Sequence, residues 1–263
     1  MECSPAKEAV GEAPERCAPM RAARGAAALG LGAIAFAASG CAVKSNVDPN
    51  LILGKQAFVA KCGSCHTLAR ANTKGIVGPN LDESFRASIA EGLQRNSIRS
   101  VVEHQVRFPN PEGAMPKDLA GGTTLSDIAA YVARSAAAPG GDTGLLASAV
   151  EAPGAGKPAV EKAGKLEIAA SPSGQLAYTT AKAAATPGPV TIVMANMSGV
   201  MHNIAVEAGE NGATAKGAAL GASSFITKGT TSVTVSLKPG KYTFFCQAPG
   251  HRAAGMYGTI TVK

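Results

Sequence analysis

Eleven residues near the C-terminus, Cys246-Gln-Ala-Pro-Gly-His251-Arg-Ala-Ala-Gly-Met256, put a thiol, an imidazole and a thioether in one short loop. Soft sulfur combined with imidazole suits copper in one-electron chemistry. There two histidines and a cysteine form a trigonal set and a methionine binds weakly along the axis. The loop lacks a second histidine, and His202 in Val200-Met201-His202-Asn203-Ile204 supplies it. A second constellation, Cys62-Gly-Ser-Cys65-His66, has the spacing of a c-type haem attachment. Each thiol can add to a haem vinyl group while the adjacent histidine reaches the iron from one face. Two redox metals in one chain point to electron transfer.

The rival readings of the second motif need residues the chain does not offer. A thioredoxin-like dithiol wants a βαβ setting, and the pattern around Cys62 is helical. Half a zinc site wants two further ligands, and up to residue 137 only His104 is on hand. His104 lies in the polar run Glu103-His104-Gln105 and is expected in solvent. Met115, in Asn110-Pro-Glu-Gly-Ala-Met115-Pro116-Lys117, is the only methionine between the motif and residue 137. Its Gly/Pro-flanked loop suits a second axial ligand, and a Met/His pair raises the potential into the range of carriers. Met194, Met197 and Met201 stand near His202 and are expected to fill the core of an aromatic-poor domain.

The elements that must position these residues fall into two kinds. Apolar positions recur at helical spacing from Leu51 to Cys62, over Phe85–Leu93 and Ile98–Val106, and again from Leu125 to Val132. Thr124 followed by Asp127 resembles a capping box. From residue 163 the pattern changes to short β-rich runs separated by Gly/Pro turns. They start at Lys165, Pro189, His202, Thr231, Lys241 and Tyr257, and such spacing suggests an antiparallel sandwich or barrel. The expected architecture is an all-α domain at 51–137, an Ala/Pro/Gly linker at 138–162 and an all-β domain at 163–263. The linker is read as a flexible chain, with only a transient helix at Leu145-Leu146.

The N-terminus reads as an export signal. Met20-Arg-Ala-Ala-Arg24 is a short basic segment, Gly25–Ala38 an apolar run, and Ser39-Gly40-Cys41 the break. The ending resembles a bacterial lipobox, with Ala38 where leucine is usual, so Cys41 is the expected site of lipidation. An uncleaved membrane anchor and simple secretion are the alternatives, and all three place the globular part outside the cytoplasm. Residues 1–19 carry four glutamates and fit no part of a signal, which makes Met20 the simplest initiator. The leader is then 1–41 and the tether 42–50. Of six cysteines, Cys3 and Cys17 fall in the leader, Cys41 at the lipobox and the other three in the two motifs, leaving no pair for a disulfide. A net charge of +7 without a basic run or interleaved aromatics argues against nucleic-acid binding.

The helical part resembles a small bacterial class I c-type cytochrome. Gly54-Lys-Gln-Ala-Phe58, the Cys62–His66 motif, Gly78-Pro79-Asn80-Leu81, Met115-Pro116 and the Tyr131 helix stand in that family's order. The resemblance implies that the Pro79 carbonyl accepts a hydrogen bond from the ligating imidazole, and that the Gly54/Phe58 and Tyr131 helices cross. The β-rich part resembles the cupredoxins, most closely the auracyanin, rusticyanin and sulfocyanin group, which implies a Greek-key sandwich. In that family the residue matching Asn203 ties the two ligand loops together.

These resemblances imply a lipid-tethered electron carrier, not an enzyme, on the periplasmic or outer face of a cell membrane. It would hold one covalent haem c and one type 1 copper. Its partners would be redox proteins such as a quinol-oxidising complex and a terminal oxidase. A copper-delivery protein and an electron-donating subunit of a larger oxidoreductase are the alternatives. With four histidines and one loop cysteine the chain does not fit a copper nitrite reductase or a binuclear oxidase subunit.

Overall fold

Asn50 starts the first helix by offering its side-chain oxygen to the free N–H groups of Ile52 and Leu53, while its own N–H donates to Asp127 Oδ1 (2.8 Å). The computed structural model describes residues 48–263, so the lipobox cysteine Cys41 lies outside the described residues. Helix α1 spans Leu51–Lys61 and turns Lys55, Phe58 and Val59 inward. A small hairpin follows, β1 (Thr67–Leu68) against β2 (Thr73–Lys74), then α2 (Leu81–Ala90), α3 (Arg95–Arg107) and α4 (Gly122–Ser135). Helices α1 and α4 cross at Gly54, where a Cβ would sit 2.2 Å from the Asp127 carbonyl oxygen. Phe58 and Tyr131 meet beside the crossing, their rings 6.2 Å apart. Thr124 lies inside α4, which has no side-chain cap, so the expected capping box is not formed; Asp127 serves Asn50 instead.

The flexible linker is not what residues 138–162 form. Asp142, its side chain 1% exposed, pairs with Lys55 (3.1 Å) and Arg70 (3.7 Å) and accepts a hydrogen bond from Tyr131 Oη (2.8 Å). Leu146 closes a 3₁₀ turn (Gly144–Leu146) and enters the helical core beside Phe58 and Tyr131, and its carbonyl accepts from Lys55 Nζ (2.9 Å). Gln56 donates to the Ala149 carbonyl and Gln175 to that of Glu151. Backbone bonds from Gly156 to Thr179 and from Ala181 to Gly154 carry the strap into the β-domain. A tertiary partner for each polar group, not a periodic pattern, orders this stretch. The described residues accordingly fall in one compact unit.

The β-domain adds β3 (Ala159–Val160), β4 (Lys165–Glu167), β5 (Lys182–Ala185), β6 (Gly188–Asn196), β7 (Ala205–Ala208) and β8 (Gly221–Ala222). Strands β9 (Gly229–Leu237), β10 (Gly240–Phe245) and β11 (Tyr257–Val262) complete it, with a four-residue helix α5 (His251–Ala254) before the last. One sheet runs β3-β5-β11-β10-β7-β8, the other β4-β6-β9. Leu166, Ile192, Met194, Val206, Phe244 and Ile260 are among the side chains packed between them. The pairings are mixed, not purely antiparallel: β3 with β5, β5 with β11 and β4 with β6 are parallel. Strand β5 explains the last case, because the chain leaves the smaller sheet after β4, runs along the larger one and returns as β6 in the same sense. Of the three methionines near His202 only Met194 is core; Met197 and Met201 are 63% and 47% exposed, contrary to the core-filling expectation. Among the described residues no helix is long and apolar enough to cross a membrane.

Candidate metal centre and the Cys-x-x-Cys-His turn

The copper loop is positioned by its own backbone before any metal is considered. Strand β10 ends at Phe245, and Cys246, fully buried, follows at once. The Cys246 N–H donates to the Met256 carbonyl (3.1 Å) and the Met256 N–H to the His251 carbonyl (2.9 Å), closing the loop on itself. Gly250 (φ 79°) and Gly255 (φ 116°) flank α5 in the left-handed region that glycine tolerates, and the chain turns sharply there without strain. From the far side His202, fully buried, is fixed by reciprocal backbone bonds with Ile226 (2.9 Å each).

The donors converge. His202 Nδ1 lies 3.1 Å from His251 Nδ1 and 3.9 Å from Cys246 Sγ, and His251 Nδ1 lies 3.6 Å from that sulfur. Among the described residues this is the one trio of such side chains with all ligand atoms within 4.8 Å. Three donors around one ion at bond lengths of about 2.0–2.3 Å would stand roughly 3.5–3.8 Å apart in a trigonal plane. The observed spacings bracket that range, so the residues fit a mononuclear ion. Met256 is fully buried where the loop enters β11. His251 alone is half-buried, which leaves one ligand near the surface.

Burial sets the electrostatics. It pushes His202 down to about 4, helped by His251 alongside, and lowers His251 as well, so both imidazoles are neutral lone-pair donors at ordinary pH. Burial raises the Cys246 thiol, and the backbone N–H groups of Asn203 and Ala248 directed at its sulfur oppose that rise. Metal uptake must therefore expel a thiol proton, after which the same amides stabilise the thiolate.

Four side chains brace the ligands. Asn203, fully buried, accepts from Gln247 N (2.8 Å) and donates to Gln247 Oε1 (2.9 Å) and the Ser223 carbonyl, which locks the His202 segment to the residue after Cys246. Tyr178 donates to the Asn203 carbonyl (2.7 Å); burial, and then Cys246 nearby, raise its phenol. Arg252, next to His251, pairs with Glu207 (2.5 Å), donates to the carbonyls of Gly212 and Thr214, and lies over the Phe245 ring at 4.1 Å. The sequence reading named Asn203 but not Tyr178, Arg252 or Glu207. A basic residue beside a ligand in a loop reads as solvated, and only the acidic partner 45 positions away reveals otherwise.

The second motif caps α1. The N–H groups of Cys65 and His66 both donate to the Cys62 carbonyl, wrapping the turn back on the helix end. Both thiols are free, and burial pushes Cys62 up to about 12. His66 Nδ1 donates to the Pro79 carbonyl (2.9 Å), a bond that leaves Nε2 as the lone-pair nitrogen. A Cβ on Gly78 would strike the His66 ring at 2.4 Å, and one on Gly75 the Cys65 carbonyl carbon at 2.5 Å, so this stretch lies flat on the turn. The turn therefore offers two thiols and an oriented imidazole. Met115 stands half-buried in the loop joining α3 to α4, and His104 is exposed on α3.

Residues 166–263 match the family model described as copper binding proteins of the plastocyanin/azurin family. Among solved structures, dithionite-reduced auracyanin from Roseiflexus castenholzii is 24% identical, covering 39% of this chain and 99% of its own, with a TM-score of 0.35. Auracyanin B is 28% identical over 42% of this chain and 96% of its own (TM-score 0.34). Rusticyanin from Thiobacillus ferrooxidans is 19% identical over 40% and 82% (TM-score 0.32). Comparison with curated proteins gives no match. The family match and the converging donors together support a cupredoxin-like domain in the C-terminal part, with His202, Cys246 and His251 placed as a copper site needs them and Met256 buried at the end of the same loop. Electron transfer is the role that family implies.

Proposed function

We propose that the chain is an electron carrier with two one-electron sites, a type 1 copper in the β-domain and a haem c on the helical module. The haem would be attached through Cys62 and Cys65, with His66 and Met115 as axial ligands. Bound copper supplies a cupric/cuprous couple and bound haem a ferric/ferrous one. The chain's own contribution is to hold donors still. Asn203 and Arg252 brace both sides of the copper loop, so the donors keep their places in either oxidation state, which suits fast electron transfer. On the other module the Pro79 carbonyl holds the His66 ring through Nδ1 and leaves Nε2 as the nitrogen that would bind iron.

The observation that carries the reading is the approach of two neutral imidazole nitrogens and a sulfur to within 4.8 Å of one another in a buried loop. The haem assignment is supported by the Cys62–Cys65–His66 turn, its free thiols and the His66–Pro79 bond. Export, lipidation at Cys41 and a place in a respiratory chain, between a quinol-oxidising complex and a terminal oxidase, complete the proposal. The basic balance favours acidic docking surfaces on those partners, with association that weakens in salt.

A visible redox titration of residues 46–263 tests it. The expected result is a blue thiolate–copper band and a c-type haem spectrum, each changing reversibly. Cys246→Ser should abolish the blue band and spare the haem, and Met115→Ala should alter the haem alone; a centre indifferent to its own variant refutes that assignment. Exposed Met197 and Met201 beside His202 favour copper delivery as the second reading. Tight cuprous binding with no reversible copper couple would select it.

A further inference from the structure

A segment packed on the Cys62–His66 turn touches the loop that carries His251. Segment Gly75–Gly78 is fastened to the haem-motif turn: Gly78 N donates to the Cys65 carbonyl (2.8 Å) and the Gly75 carbonyl accepts from Thr67 Oγ1 (2.9 Å). Its two glycines let the backbone lie against Cys65 and the His66 ring. Between them Ile76 and Val77 project outward, 71% and 65% exposed, an unusual place for two adjacent branched apolar residues. Ile76 has a specific neighbour. Its Cδ1 lies 2.9 Å from where a Cβ on Gly250 would be, so the tip of the side chain rests on the Gly250 backbone. Gly250 precedes His251, the copper ligand nearest the surface. A second contact, Gly174 against the Ala60 carbonyl in α1, and the strap from Asp142 to Gly156 hold the modules in this relation.

Resting on the two-site reading above, we propose that Ile76 is the internal docking contact through which the sites exchange an electron. With both groups loaded, one electron would pass between a haem held by Cys62, Cys65 and His66 and a copper held by His202, Cys246 and His251, one centre being oxidised as the other is reduced; no bond or proton changes place. From Cys65 the route crosses to the Gly75 backbone, follows the chain to Ile76, steps from Cδ1 to Gly250 and follows the chain to His251. Because the contact is made within one folded unit, the exchange is first order and needs no encounter step.

The test uses the full chain from residue 46 and the variant Ile76→Asp, whose largely exposed position spares the fold. In the fully reduced protein, a nuclear Overhauser contact between the Ile76 δ1 methyl and the Gly250 α-protons is expected, and its absence overturns the proposal. After a photochemical electron pulse, the intramolecular rate should fall about tenfold in Ile76→Asp, the factor that 1.4 kcal/mol represents. Both visible spectra should remain intact, and Val101→Asp, on exposed α3 surface, should leave the rate unchanged. An unchanged rate in Ile76→Asp, with both centres loaded, overturns the contact alone. A wild-type chain without a haem spectrum overturns the two-site reading instead.

Discussion

Replacing Arg252 with leucine should unlatch the copper loop. Arg252 is 9% exposed and Glu207 1%, so their ion pair is desolvated on both sides. Removing one member of a buried pair typically costs about 3–5 kcal/mol, because the other charge is left without compensation. Arg252→Leu also loses the bonds to the Gly212 and Thr214 carbonyls and the contact with Phe245, so the upper half of that range applies. For a unit of this size each kcal/mol lowers the melting temperature by about 2–4 °C, which gives a fall of roughly 8–20 °C. The assay is guanidinium and thermal unfolding of the copper-free protein, beside the double variant Arg252→Leu/Glu207→Leu. An apolar pair has no orphaned charge, so the double variant should recover part of the loss, with a coupling of about 1–3 kcal/mol. After copper loading, the single variant should show a broadened blue band, because His251 begins the four-residue helix that Arg252 anchors. A loss below about 1 kcal/mol, typical of an exposed pair, would refute the latch. So would a double variant no more stable than the single one.

Asp142→Ala should destabilise the protein by about 3–5 kcal/mol, since Lys55, 3% exposed, would lose its counter-ion. In a flexible linker the same change would stay within about 0.5 kcal/mol, so denaturant unfolding decides whether the strap is structural. The copper-free protein should also lose stability in acid. His202 and His251 are bases held below their unfolded value of 6.5, so the unfolded chain takes up protons first as pH falls. The His202 contribution is complete above pH 6.5 and is lost between there and about 4, a change of about 3 kcal/mol, and His251 acts in the same direction. Unfolding free energies at pH 7.5, 6.5, 5.5 and 4.5 that stay flat would contradict the buried neutral pair.

The copper loop was legible because a cysteine, a histidine and a methionine follow one strand end in a single short loop, and no packing role accounts for that combination. The helices were legible from apolar spacing, as were the strands with Val, Ile and Thr at alternate positions. What escaped had no local pattern. Strand β5 is Lys-Ala-Ala-Ala, without a β-branched residue, and it forms because β11 and β3 flank it. The parallel sense of β4 and β6 depends on the path between them, which alternation does not encode. Residues 138–162 read as slack because alanine, glycine and proline carry no period. Their order comes from Lys55, Arg70 and Tyr131, far upstream. Exposed Met197 and Met201 show the opposite error, an apolar residue assigned to the interior on composition alone.

The larger sheet ends on either side in a strand of only two residues, β3 and β8. A rim so short offers another copy almost no row of free amides and carbonyls to zip onto. Crowding many copies together should therefore not seed fibres along the edges of this sheet. The stretch that passes over the helices and finishes as β3 serves as the selvedge of that sheet, and trimming it would expose the longer β5 to strangers.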